Sequence, residues 1–298
     1  NLEDLSIIQM FSICLRKEET GARKSFGITP KALDHLKTKH LENNGVDYQK
    51  TIFETIKFLS DLKLHGPDML PFGYLLFPLT HYFHKNSSPN RQSAKQWFWR
   101  TAFGTEDFRR AEDVYDYCTD FFDKLERGEK PALRQLQLSK TKLVLASYNY
   151  RSALSRAVLA FLAKQNPLDF SDPDAEVLDR VYLLLSQVPN LHHIYPRNFL
   201  QDIEGLPKDI EIDSLMNICY LRAKTNIKIG DNNPLYYFRE FENANFNRIL
   251  DSHLIPREFI EKEEFKPEDY RAFLYARAEL FCQKLQCELP DVDVKIID

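Results

Sequence analysis

Apolar residues recur in this chain at three- and four-residue intervals over one long stretch after another, and few glycines interrupt them. Within residues 51–64, Ile52, Phe53, Ile56, Leu59 and Leu62 have the spacing that places side chains on one face of a helix. The same period fits residues 5–15, 70–84, 111–125, 139–163, 175–187 and 267–285. With 9 Gly in 298 residues, tight strand turns that need positive φ are in short supply, so the expected class is mainly α. Short strands are expected only at residues 191–195 and 216–221, followed by a helix that carries Asn226 or starts near Pro234.

Breaks fall at residues 84–90, 128–131 and 166–173, where Pro, Gly, Asn and Ser cluster. The last is read as the domain boundary, with a helical domain over residues 1–168 and a second domain over 169–298. No apolar run approaches the roughly 20 residues that span a bilayer, so no membrane partner is expected. The opening residues Asn1 to Asp4 carry no signal-peptide pattern. Cys14, Cys118, Cys219, Cys282 and Cys287 are odd in number and lack Cys-x-x-Cys spacing. Free thiols in a reducing cytoplasm are the expectation, and no cysteine-ligated zinc knuckle can form.

The residues with chemistry gather in the second half. Cutting a phosphodiester needs a base to deprotonate water and a divalent cation to absorb charge on the phosphate. His193 is a candidate base. Neighbours on a strand point to opposite sides, so His192 and His193 can serve one site only where the strand ends, and Pro196 gives it a reason to end. His192 could ligate the metal as neutral imidazole, with Asn226 supplying an amide oxygen. Such a set suits Mg²⁺, Mn²⁺, Zn²⁺ or Ni²⁺, with Mg²⁺ expected first.

The segments 192–200, 213–218 and 226–230 (His-His-Ile-Tyr-Pro-Arg-Asn-Phe-Leu, Asp-Ser-Leu-Met-Asn-Ile and Asn-Ile-Lys-Ile-Gly) resemble the HNH nucleases. The core of that family is two strands, a metal and a helix. The resemblance implies that His193 is general base, that His192 and Asn226 hold the metal, and that Asn217 braces the loop between the strands. Lys228 would contact the phosphate or transition state. Many members carry Asp at the position of His192, while a His-His pair also occurs in the group, so this departure bears on metal preference more than on activity. Residues 70–79, 97–103, 252–256 and 273–277 look like the C-terminal half of GmrSD-type modification-dependent restriction enzymes. By that likeness the fold is a helical domain plus a small ββα-metal core embedded among helices, and the activity is DNA cleavage in restriction or antiviral defence. The sequence has neither the Asp-Gly-Gln-Gln-Arg motif of the family's nucleotide-sensing domain nor a Gly-x-x-x-x-Gly-Lys loop. The likeness therefore implies an effector half, served by an N-terminal or separate nucleotide-sensing domain or subunit.

A net charge of −4 argues against indiscriminate coating of nucleic acid. Locally, residues 130–167 hold Lys130, Arg134, Lys140, Lys142, Arg151, Arg156 and Lys164 with no acid, and residues 217–230 hold Arg222, Lys224 and Lys228 with none. Together with Arg197, these runs are where phosphate contacts are expected, above all at Lys140, Lys142, Arg151, Arg222 and Lys224. The bland reading of the first run is a solvated helical face. The aromatics of Trp97-Phe98-Trp99-Arg100 are expected in a core, and His81 and His84 are expected to be structural. Two other functions fit the same residues: a partner-binding module on an inactive HNH scaffold, and a ribonuclease of the same fold.

Overall fold

The computed structural model describes residues 4–15, 27–104, 111–179 and 190–298, and for residues 111–118 the backbone alone. Among these the chain is mainly helical, with thirteen α-helices and three two-stranded sheets. It divides into two compact units, residues 1–135 with 291–293 and residues 136–290 with 294–298. The division follows the break at 128–131. The expected boundary at 168/169 lies inside the second unit, because the helix before it packs there, Phe161 against Phe281 at 5.0 Å.

The first unit contains α1 (Asp4–Cys14), α2 (Pro30–Leu33), α3 (Thr38–Asp61), α4 (Leu76–Lys85), α5 (Arg91–Phe103) and α6 (Ala111–Glu126). Leu76 to Phe83 and Gln96 to Phe103 are buried on every side, which makes α4 and α5 its centre. Trp97, Phe98 and Trp99 are fully buried, so no stacking platform exists there. Arg100 is buried as well, and its guanidinium donates to the carbonyls of Arg134 and Gln135. Helix α4 begins at Leu76 and not at 70, after a 3₁₀ turn at Gly73–Leu75, and Pro78 falls in its first turn, where no backbone N–H is needed. Helix α3 buries Leu59 and Leu62 of the expected stripe but turns away from the rest of it. Thr51, Thr55, Phe58, Leu59 and Leu62 face inward, whereas Phe53 and Ile56 are 71% and 46% exposed. The threonines tolerate burial because Thr55 bonds the Thr51 carbonyl and Thr51 bonds His84 Nδ1 at 2.9 Å.

The second unit contains β1 (Leu136–Ser139), α7 (Lys140–Leu145), α8 (Ala153–Lys164), β2 (Leu168–Asp169), β3 (Asp172–Glu176) and β4 (Leu191–His193). It continues through α9 (Arg197–Gln201), β5 (Ile218–Tyr220), α10 (Ala223–Ile229), α11 (Pro234–Phe241), α12 (Phe246–Ser252), α13 (Pro267–Glu288) and β6 (Val294–Ile297). Strands β1 and β6 pair in parallel, while β2 with β3 and β4 with β5 pair antiparallel. The helix expected over 175–187 is contradicted at its start, where Ala175 and Glu176 belong to β3; residues 180–187 lie outside the described residues. The single helix expected over 139–163 is two. Residues 146–148 pair with the segment before β5 through Leu215 N to Ala146 O, Tyr148 N to Asp213 O and a Ser147–Ser214 bridge, and Ser152 then caps α8. Backbone pairing with a distant segment outweighs the local helical period.

Helix α13 is the spine of this unit. Tyr270, Phe273, Leu274, Arg277, Ala278, Phe281, Cys282 and Leu285 form one buried stripe. Arg277 is fully buried, yet burial lowers its pKa only to about 10, so it stays charged at neutral pH. It donates to the carbonyls of Met216, Ile218 and His253 at 2.8–3.2 Å. Arg277→Leu, which keeps apolar bulk and removes every donor, is expected to destabilise the unit by about 3 kcal/mol, because three buried carbonyls lose their partner. Urea unfolding checks this; a change below about 1 kcal/mol would mean water replaces the guanidinium.

Cys14, Cys219 and Cys282 are buried free thiols raised to about 12 by burial, and Cys287 is free and exposed. Cys118 lies outside the residues whose side chains are described. No helix among the described residues is long and apolar enough to cross a membrane.

Candidate functional site

Strand β4 runs for three residues, with His192 opposite Cys219 and His193 opposite Ile218, and Ile194 and Tyr195 separate its end from Pro196, the N-cap of α9. The short strand lets its two histidines diverge while lining one cavity. His192 turns inward and is buried beside Phe170 and Tyr237, whereas His193 is about one-third exposed. A cavity of about 210 Å³ is lined by both histidines with Arg197, Asn198, Asn226, Gly230 and Asp231, among others.

Helix α10 brings Asn226 to this floor. Its start is held by the buried carboxylate of Asp169, which accepts from Arg222 N at 3.2 Å and from Thr225 Oγ1 at 2.6 Å. Its end is Gly230 at φ +54, a conformation that side chains with a Cβ resist. Asn226 Oδ1 then lies 2.7 Å from His192 Nδ1.

The loop between the strands is fixed by Asn217, in the 3₁₀ turn that leads into β5. It is fully buried, its Oδ1 accepts from Tyr195 N at 2.8 Å, and its Nδ2 donates to the carbonyls of Tyr195 and Ile212. Those bonds brace backbone and leave nothing to reach a substrate, so Asn217 acts by position. Tyr237 OH donates to the Ile194 carbonyl at 2.5 Å, and Tyr270 OH to the carbonyls of Glu211 and Ile212 at 3.1 Å.

Burial pushes the pKa of His192 down to about 4; the bond to Asn226 offsets part of this and neighbouring His193 adds to it. The ring is therefore neutral at physiological pH, the form in which imidazole binds a metal. Its Nε2 is buried with no hydrogen-bond partner. Whichever nitrogen carries the proton, the ring keeps an unmet polar atom, at a cost of roughly 1–3 kcal/mol. Imidazole nitrogen and amide oxygen in contact at a cavity floor can both reach one divalent ion. Among the described residues no group of three or more His, Cys, Asp or Glu could hold a metal, so these two donors alone make an incomplete ligand set.

The chain matches no protein family, no curated protein and no solved structure. The site is therefore read from its own geometry.

Of the expected phosphate contacts, only Arg197 lines the cavity, and its Nη2 lies 3.1 Å from Asp213 Oδ2. Lys224 and Lys228 flank Asn226 at two residues' distance on α10, a spacing that turns side chains away from one another. Lys228 Nζ instead sits 4.6 Å over the Phe241 ring, and Arg222 donates to the Glu176 carbonyl. Lys140 bridges Glu279 and Asp298, and Lys164 pairs with Glu288, so the acid-free run is compensated by acids far away in sequence. Lys142 and Arg151 are exposed and do not line the cavity. His253, which echoes the histidine motif, is buried and its Nε2 donates to the Leu168 carbonyl at 2.6 Å, a structural role. The residue that sequence reasoning left without a role is Asp213, whose Oδ1 lies 2.9 Å from His193 Nε2. Its signal was slight: an acid four residues before Asn217.

Proposed function

We propose that the second unit is a one-metal phosphodiesterase of the HNH type that cuts DNA. The observation that carries this reading is one cavity holding three things: a neutral histidine in contact with an amide oxygen, a second histidine beside it, and an arginine at the same wall. His193 takes the proton of the attacking water, His192 and Asn226 hold the ion, and Arg197 meets the phosphate oxygens. A divalent ion bound there supplies neutralisation of charge on the phosphate and the leaving oxygen. The donors are uncharged nitrogen and oxygen, so Mn²⁺, Ni²⁺ or Zn²⁺ is a better match than Mg²⁺, which favours carboxylates. The setting proposed is restriction of invading DNA, with discrimination supplied by a sensor domain or subunit.

Supercoiled-plasmid nicking with EDTA, Mg²⁺, Mn²⁺ and Ni²⁺ in turn tests the reading, beside matched RNA. Metal-dependent nicking of DNA is expected. Asn226→Ala removes one of two protein donors and is expected to raise the metal concentration for half-maximal cleavage by roughly 10- to 100-fold. Cleavage that survives EDTA, or a metal requirement unchanged in that variant, would remove the proposal. RNA cut in preference to DNA would reassign the substrate.

A further inference from the structure

We infer that Asp213 is a positioning residue that fixes the tautomer of His193 and aims its other ring nitrogen at the reacting water; this rests on His193 being the base. A carboxylate only accepts hydrogen bonds, so the 2.9 Å contact places a proton on His193 Nε2 and leaves the neutral ring's lone pair on Nδ1. Among the described residues Nδ1 has no hydrogen-bond partner, and the ring lines the cavity.

Asp213 is itself held from three sides. Its carbonyl accepts from Tyr148 N at 2.8 Å, its N–H donates to Glu211 Oε1 at 3.1 Å, and its second carboxylate oxygen takes Arg197 Nη2 at 3.1 Å. The residue before it is tied down by Asn217 and Tyr270. The loop between the strands thus delivers a fixed acceptor to the histidine, and the break of the 139–163 helix at residues 146–148 is what anchors that loop.

Arg197 makes the idea sharply testable. Arg197, ion-paired with Asp213 Oδ2, only donates, so in Asp213→Asn it draws the amide oxygen and turns the NH₂ toward His193. Nε2 then has to accept, the proton moves to Nδ1, and the lone pair the water needs is gone. Replacing the orienting Asp of a catalytic triad by Asn drops kcat by about 10⁴ for this reason. In Asp213→Asn with Arg197→Leu the amide is free to flip back.

The experiment is ¹⁵N NMR of the histidine rings in the metal-free full chain at alkaline pH, with His193 assigned by its loss in His193→Gln, alongside steady-state cleavage. Expected are an Nε2–H ring in the wild type, an Nδ1–H ring in Asp213→Asn with kcat lowered about 10²-fold and KM little changed, and return of the Nε2–H ring in the double variant, read by NMR alone because Arg197 also serves the phosphate. An Nδ1–H ring in the wild type, or no tautomer change in Asp213→Asn, overturns the inference. A wild type that cuts nothing removes the nuclease reading, whereas the tautomer measurement still decides what Asp213 does to the ring.

Discussion

His193→Ala is expected to lower metal-dependent DNA nicking by on the order of 10³-fold while leaving the fold intact. The side chain is about one-third exposed at the end of β4, so its removal opens no core cavity. Its partner Asp213 keeps Arg197, so no buried charge is stranded. The change should appear in kcat with the metal requirement unmoved, because His192 and Asn226 are untouched. Single-turnover cleavage under saturating metal, beside a urea melt, separates the two. A rate within a few-fold of wild type would assign the proton transfer elsewhere and reduce His193 to a wall of the cavity.

Acid should undo the second unit well before its carboxylates alone would. Burial lowers both His192 and His253 from 6.5 to about 4; for His253 the bond to Leu168 opposes the shift and Arg277 deepens it. Below pH 6.5 the unfolded chain takes up protons on these rings and the native chain does not, so their contribution is whole above that pH and is lost as pH falls toward 4. Each shift is worth roughly 3 kcal/mol, and two together rival the 5–15 kcal/mol that typically separates folded from unfolded. Urea unfolding in EDTA across this window should show a slope approaching two protons, falling toward one in His253→Gln. A divalent ion on His192 should flatten the curve by holding that ring neutral. Stability unchanged between pH 6.5 and 4.5 would show that both rings find a solvated, charged form at no cost.

What could be read in the sequence was what depends on neighbours along the chain. Residues 191–195, followed by Pro196, and residues 216–221 stand out as strand segments, and both form strands, although shorter ones. Helix α13 follows its apolar period closely. Where the reading failed, a distant partner decided. Thr51 and Thr55 look polar by type but satisfy themselves, so the buried stripe of α3 turns onto them. Residues 146–148 leave a helical pattern to pair with the loop before β5. Lys140 looks like a free cation until Glu279 and Asp298 come from the far end of the chain. Asp213 and Asp169 are ordinary acids until the fold lays one on His193 and the other at the start of α10.

The pairing of Leu136–Ser139 with Val294–Ile297 carries a consequence for the order in which the protein is made. Everything in the proposed catalytic cavity is translated well before α13 delivers Arg277 to β5, and before β6 arrives to meet β1. While the nascent chain is still on the ribosome, His192, His193 and Asn226 have all emerged but the helix that pins their sheet has not. If the chain cuts DNA as proposed, a cell gains from this delay: termination between Asn226 and α13 yields a chain with His192, His193 and Asn226 and without the frame that aligns them.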